Sequence, residues 1–251
     1  MLLAHDEAGT GDPVLLLHSG VADRRMWQPQ WEPLAERFRA VRCDLRGWGD
    51  TPIPAERFSN GGDVIALLDH LDVERAAIVG SSFGGRVALE VAATYPDRVG
   101  RLVLLCPGFR GLEPTAAADA FDEREDALAE AGDIDGLVDH NVATWLGPEA
   151  DTSARDLLRE MQRHAFEVQL AADARPEQPE LERVDVDPAQ IGSPTVVVSG
   201  GRDMDHFQAI AAHLATTIPH ARLIELDWAG HLPSMERPEE TTGLIIDALI
   251  G

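Results

Sequence analysis

The stretch Ala76-Ala77-Ile78-Val79-Gly80-Ser81-Ser82-Phe83-Gly84-Gly85-Arg86-Val87-Ala88-Leu89 decides how the rest of this chain is read. It begins as a continuous apolar run, the pattern of a strand covered on both faces. It continues with apolar residues at helical spacing. At the junction stands Gly80-Ser81-Ser82-Phe83-Gly84, a G-x-S-x-G pentapeptide. Between a strand and a helix this spacing has a mechanical meaning. The bend drives the central serine into positive φ and pushes its hydroxyl out of the sheet. Small residues must stand two positions to either side, so that nothing collides at the bend. Ser82 has Gly80 and Gly84 there, whereas Ser81 would have Val79 and Phe83. Ser82 is therefore the candidate nucleophile. The N–H of Phe83, at a helix start where free donors favour negative charge, is a candidate oxyanion donor.

Outward from this point, further apolar runs at Val14–His18, Phe38–Leu45, Arg101–Cys106, Pro194–Ser199 and Arg222–Leu226 read as buried strands. Gly62–His70, Arg86–Tyr95, Phe207–Ile218 and Pro238–Ile250 carry helical spacing between them. That alternation predicts an α/β fold with a mostly parallel sheet. The rhythm breaks over Phe109–Ile191, 83 residues without a strand-like run. Helices are expected there, for example at Thr115–Ala131, Ile134–Leu146 and Thr152–Ala174. The segment is too long for a loop and is either a helical cap over the active edge of the sheet or a separate interaction module. Pro176, Pro179 and Pro188 suggest where it returns to the sheet.

A serine hydroxyl needs a base, and strand ends on one edge of a parallel sheet converge on a common crevice. His231, in Ala229-Gly230-His231-Leu232-Pro233 just past the last strand, fits that position. His18 ends a strand but reads as shaping the following turn, and His164 is left open. The base in turn needs a carboxylate to hold its tautomer. Asp203 lies just beyond the strand Thr195–Ser199, with Asp205 as the alternative. The earlier strand end, Cys106-Pro107-Gly108-Phe109, offers no carboxylate. The chain order Ser82, Asp203, His231 belongs with a strand–turn–helix nucleophile rather than with the trypsin-like or subtilisin-like arrangements. The loop after Val14–His18 should give a second oxyanion donor, the N–H of Gly20 or, failing that, of Val21.

Composition excludes several alternatives. The net charge is −23, and all 21 cations are arginine. Nucleic acids and anionic membranes both need a cationic surface, so neither is an expected partner. No apolar run approaches the roughly 20 residues that span a bilayer. The start of the chain does not resemble a signal peptide, so a cytoplasmic location is expected. Cys43 and Cys106 read as buried free thiols, and no histidine–cysteine spacing suggests a metal site. Phe109–Ile191 holds 21 acidic and 7 basic residues.

Taken together these residues resemble the α/β-hydrolase family over nearly the whole chain. His18-Ser19-Gly20 is similar to its His-Gly-x oxyanion loop, with Ser19 in place of glycine. Asp44-Leu45-Arg46-Gly47-Trp48-Gly49 resembles its Asp-x-Arg-Gly-x-Gly turn, with Trp48, Asp50 and Thr51 as departures. Asp23 with Met26-Trp27 resembles the 3-oxoadipate enol-lactonase branch. The resemblance implies the α/β-hydrolase fold, a core of residues 1–108 and 192–251, and a helical cap, 109–191, inserted after the strand ending near Cys106. It implies a serine hydrolase acting on a small-molecule ester or lactone, with no metal or organic cofactor. A carbon–carbon bond hydrolase and a non-catalytic small-molecule receptor are the alternatives. Val21, Met26, Trp27 and Trp145 are expected in a mostly apolar pocket, with the neighbouring core as the alternative for Met26 and Trp27 and packing between cap helices as the alternative for Trp145. Such a pocket favours neutral substrates unless Arg24, Arg25, Arg86 or Arg110 points inward.

Overall fold

The computed structural model describes residues 1–176 and 180–251, so Pro179 lies outside the described residues. The strands are β1 (His5–Ala8), β2 (Pro13–Leu17), β3 (Arg39–Cys43), β4 (Ala76–Ser81), β5 (Val99–Leu105), β6 (Thr195–Gly200) and β7 (Ala221–Leu226). They form one sheet in the order β1-β3-β2-β4-β5-β6-β7. Every pairing is parallel except β1 with β3, in which His5 faces Cys43. This is the α/β-hydrolase fold.

Alternation along each strand separates two cores. Val14, Leu16, Val79, Val103 and Val198 pack on one face, together with Leu34 of α1 (Gln28–Ala35) and Ile245 of α9 (Pro238–Ile250). Leu15, Leu17, Ile78, Leu104 and Val197 pack on the other. There they meet α2 (Asn60–His70), α3 (Phe83–Thr94) and α7 (Asp205–Thr217). Each fully buried leucine or valine contributes about 1.5–3 kcal/mol, so the two layers supply most of the driving force.

Several elements differ from the sequence expectation. β1 carries His-Asp-Glu-Ala and is a short, half-exposed edge strand with no apolar run to announce it. α1 has Pro29 at its start and Pro33 inside, and proline punctuation reads as loop. β5 ends at Leu105, and Cys106 follows it at φ 44° rather than lying within the strand.

The stretch between β5 and β6 is helical, with α4 (Ala116–Glu130), α5 (Ile134–Trp145) and α6 (Thr152–Asp173). Their buried side chains Phe121, Val142, Trp145 and Met161 join the same apolar cluster as Val103 and Leu105. Among the described residues no helix is long and apolar enough to cross a membrane.

The bend after β4 tolerates no extra atom. A Cβ on Gly84 would lie 2.3 Å from the Leu17 carbonyl oxygen, and one on Gly80 would lie 2.5 Å from that of Gly84. Both obstacles are backbone and cannot swing aside. Gly84→Ala should therefore lower unfolding stability by about 1–3 kcal/mol, read from the denaturant midpoint. An unchanged midpoint would show that β2 and α3 do not meet this closely.

Candidate active site

Ser82 sits at φ 49°, ψ −109°, between the end of β4 and the first turn of α3. A non-glycine residue in this region costs on the order of 1–3 kcal/mol and persists only where its surroundings over-determine it. The surroundings here are backbone bonds. Ser82 N donates to Leu105 O at 2.9 Å, Gly108 N donates to Ser82 O at 2.9 Å, and Gly84 N donates to His18 O at 3.0 Å. Ser81 points the other way. It is fully buried, and its hydroxyl oxygen has no hydrogen-bond partner.

His231 and Asp203 meet Ser82 across the carboxyl edge of the sheet. His231 Nε2 lies 2.7 Å from Ser82 Oγ, and Nδ1 lies 2.7 Å from Asp203 Oδ2. With Asp203 accepting the Nδ1 proton, Nε2 is left to accept from the serine hydroxyl. The other Asp203 oxygen accepts Met204 N–H at 2.7 Å, and both side chains are only 2% exposed. Asp205, the alternative, instead accepts from the Thr115 hydroxyl at 2.6 Å.

The loop carrying His231 is held by Glu236 of the short helix α8 (Pro233–Glu236), which the sequence reading missed. Its two oxygens accept Gly230 N–H at 2.9 Å and Leu232 N–H at 3.2 Å, one residue to either side of the histidine. Burial pushes this carboxyl up from its ordinary value, against the pull of those N–H groups. Trp145 and Phe207 rings flank the imidazole, with centroids at 4.8 and 4.2 Å.

His18 is wholly buried and shapes the candidate oxyanion loop. Its Nδ1 lies 2.8 Å from Ser19 O, and its Nε2 accepts Leu45 N–H at 2.9 Å. That pair fixes a neutral ring, and burial holds its pKa below the usual histidine value. Trp48, one of the departures in the Asp44–Gly49 turn, donates from Nε1 to Gly20 O at 2.6 Å. The same ring packs at a tilt against Phe83, with centroids 4.8 Å apart, so a single side chain braces Gly20 against the start of α3. Asp44 anchors the turn from beneath, accepting Arg24 N–H and Asp50 N–H at 2.8 Å each and pairing with the Arg24 guanidinium.

A cavity of about 240 Å³ opens over Ser82. Gly20, Val21 and His231 line it from the sheet side, and Phe121, Trp145 and Phe166 line it from α4, α5 and α6. Of the four candidate pocket residues, Val21 and Trp145 line this cavity, and Met26 and Trp27 do not. Both are fully buried in the core, because a 3₁₀ turn over Arg24–Trp27 rolls their side chains under the loop. Met26 Sδ accepts Ser19 N–H at 3.3 Å instead. The cavity is also more polar than expected, since Glu125, Asn141, Gln162 and Gln169 line it. None of the four candidate arginines does. Arg24 and Arg25 line a separate crevice with Asp23 and Glu160, and Arg86 and Arg110 line another beside Glu90. His164 bonds Gly49 O at 3.0 Å, on the exposed side of α6.

Among the described residues one cluster has metal-ligand reach, Cys106 with Asp203 and His231. Asp203 and His231 are bonded to each other, and burial, with Asp203 alongside, pushes the Cys106 thiol well up.

A serine on a strand–turn–helix bend thus stands within hydrogen-bond reach of a histidine, and the histidine within reach of an aspartate, at the carboxyl edge of a parallel sheet. The chain belongs to the alpha/beta hydrolase family, whose model matches residues 14–243. It is 30% identical to RutD of Caulobacter segnis, provisionally named a carbamate hydrolase, over 96% of this chain and 92% of that one. The solved enol-lactonase from Burkholderia xenovorans LB400 superposes with a TM-score of 0.82 at 27% identity, covering 99% of this chain and 96% of that one. A thermophilic esterase from Thermogutta terrifontis gives 0.79 at 28% identity, covering 98% and 92%.

The buried His18 has a pH consequence. It stays neutral in the fold, while in the unfolded chain it takes a proton near pH 6.5. The unfolded state thus binds more protons below that pH, so stability is full above it and falls below it. One such proton contributes at most about 1.4 kcal/mol per pH unit. Denaturant titrations between about pH 5 and 7 should show a shallower acid slope in His18→Gln than in wild type, whatever its absolute stability. Identical slopes would mean that His18 is charged in the fold.

Proposed function

We propose that this protein hydrolyses a carboxylic ester or lactone of a small molecule through an acyl-enzyme on Ser82. The reading is carried by the two 2.7 Å bonds of His231, one to the Ser82 hydroxyl and one to Asp203. Ser82 Oγ attacks the carbonyl carbon as its proton passes to His231 Nε2, and the carbonyl electron pair moves onto oxygen. The N–H groups of Gly20 and Phe83 hold that oxyanion. Collapse breaks the bond to the leaving alkoxide, which takes the proton from His231. Water then adds to the acyl-enzyme, passing a proton to His231, and the carboxylic acid leaves as Ser82 regains its proton. Asp203 stays ionised throughout and holds the imidazolium in place.

The helices within 109–191 serve as the cap, closing the cavity over Ser82 with Phe121, Trp145 and Phe166. Water exclusion by these rings strengthens each polar contact beneath them. The likeness to an esterase and an enol-lactonase supports acyl transfer to water. The two free buried cysteines support a reducing, cytoplasmic setting.

Ser82→Ala should abolish turnover of a simple aryl ester, by on the order of a millionfold in kcat, with the fold intact by circular dichroism. Ser81→Ala should retain most activity. Substantial turnover by purified Ser82→Ala protein would reject the nucleophile. In the same assay Asp203→Asn should cost about 10⁴-fold by favouring the wrong histidine tautomer, while Asp205→Asn is mild. The reverse ranking would move the carboxylate to Asp205.

A further inference from the structure

The cavity over Ser82 has a wall that the hydrolytic steps do not use. Glu125 of α4, Asn141 of α5 and Gln162 of α6 line that cavity together with the reacting serine. Asn141 is committed to its neighbours. Its Nδ2 donates to Glu125 Oε1 at 2.7 Å and to Leu137 O at 3.1 Å, and its Oδ1 accepts from Trp145 Nε1 at 3.0 Å. This network fixes the amide with its donors turned inward.

Two acceptors on these lining residues are left without a donor. Glu125 keeps its second carboxylate oxygen. Gln162 is only 4% exposed, yet its Oε1 has no hydrogen-bond partner. A buried acceptor without a donor is costly, and most such atoms in folded proteins are paired by something. No cation offsets these oxygens among the residues that line the cavity. Arg24 is held by Asp6, Asp44 and Asp50, and Arg25 by Asp23 and Glu160.

We infer that this wall selects uncharged esters or lactones that carry an N–H or O–H donor, which Glu125 and Gln162 accept, and that it turns away carboxylated ones. The inference rests on the hydrolase reading and names the substrate class of the same site. It sets the protein apart from the enol-lactonase branch it resembles, whose lactone carries a carboxylate. Here such a group would meet Glu125, a group of its own sign in a confined site, with no arginine alongside.

The test uses four ethyl esters whose acyl chains end in an acetamido group (–NH–CO–CH3), its tertiary N-methyl form (–N(CH3)–CO–CH3), methyl or carboxylate. In wild type, kcat/KM should favour the acetamido ester over its N-methyl form by about tenfold, because only the N–H pairs the acceptor. The carboxylate ester should be the poorest. Glu125→Gln should raise the carboxylate ester relative to the methyl-ended one by about tenfold. Gln162→Met should shrink the acetamido preference to within about twofold. Calorimetric binding of the same esters to Ser82→Ala protein reads the selection without turnover. Ratios near one in both turnover and binding would overturn the inference, while hydrolysis of the methyl-ended ester would leave the hydrolase reading standing. A tenfold binding ratio with no turnover of any ester would sustain the selection and overturn the hydrolase reading. Absence of both would overturn the two together.

Discussion

The hydroxyl of Ser82 can stand clear of the sheet only because the chain reverses from β4 into α3 without room for a side chain on either flank. Leu17 and His18 carbonyls press against Gly84 on one side, and the first turn of α3 presses against Gly80 on the other. The positive φ of Ser82 is a consequence of that squeeze, and its cost is met by backbone bonds to Leu105, Gly108 and Arg86. Everything else in the site is arranged around the point where this bend leaves the oxygen. β6 and β7 run parallel to β4, so the loops after them, with Asp203 and His231, arrive at the same edge. β2 runs alongside β4 with Leu17 beside Gly80, and so delivers His18–Gly20 to the other flank of the bend.

A second tier of residues holds this first one still. Glu236 fastens the backbone on both sides of His231, Trp48 ties Gly20 to the start of α3, and Asp44 fixes the turn from which Trp48 projects. Each works through a hydrogen bond to backbone, which transmits position without touching the substrate. The rings of Trp145 and Phe207 then close over the imidazole and keep its bonds in a low-dielectric setting, where they are stronger. Because Trp145 also belongs to the apolar cluster beneath the sheet's edge, the inserted helices and the core share one packing unit. Movement of α5 would be felt at His231.

Much of this was legible in the sequence, for identifiable reasons. β2, β4, β5 and β6 are continuous apolar runs, and such runs are what a doubly covered parallel sheet demands. Glycine spacing around Ser82 settled the frame on sterics alone. Elements stabilised by tertiary pairing were silent instead: β1 is polar and half exposed, and α1 is broken by two prolines. Met26 and Trp27 could be read as cavity wall or as neighbouring core, because a large apolar residue near a site looks the same in sequence whether it lines the cavity or lies under it. Only the 3₁₀ turn at Arg24–Trp27 decides. The wall of Glu125, Asn141 and Gln162 was invisible for another reason. Its members come from three different helices and are joined by packing, although Asn141 and Trp145, four apart on α5, already share one face.

The central claim is that acyl transfer passes through the oxygen of Ser82 and no other. The most direct measurement is mass spectrometry of protein quenched within seconds of mixing with an activated aryl ester. Fragmentation of the peptide spanning residues 76–86 separates Ser81 from Ser82. The account predicts one acyl mass on Ser82, trapped at higher occupancy in Asp203→Asn and absent in Ser82→Ala. An acyl group on Ser81 or elsewhere, or rapid turnover with no acylated species under any quench, would contradict it.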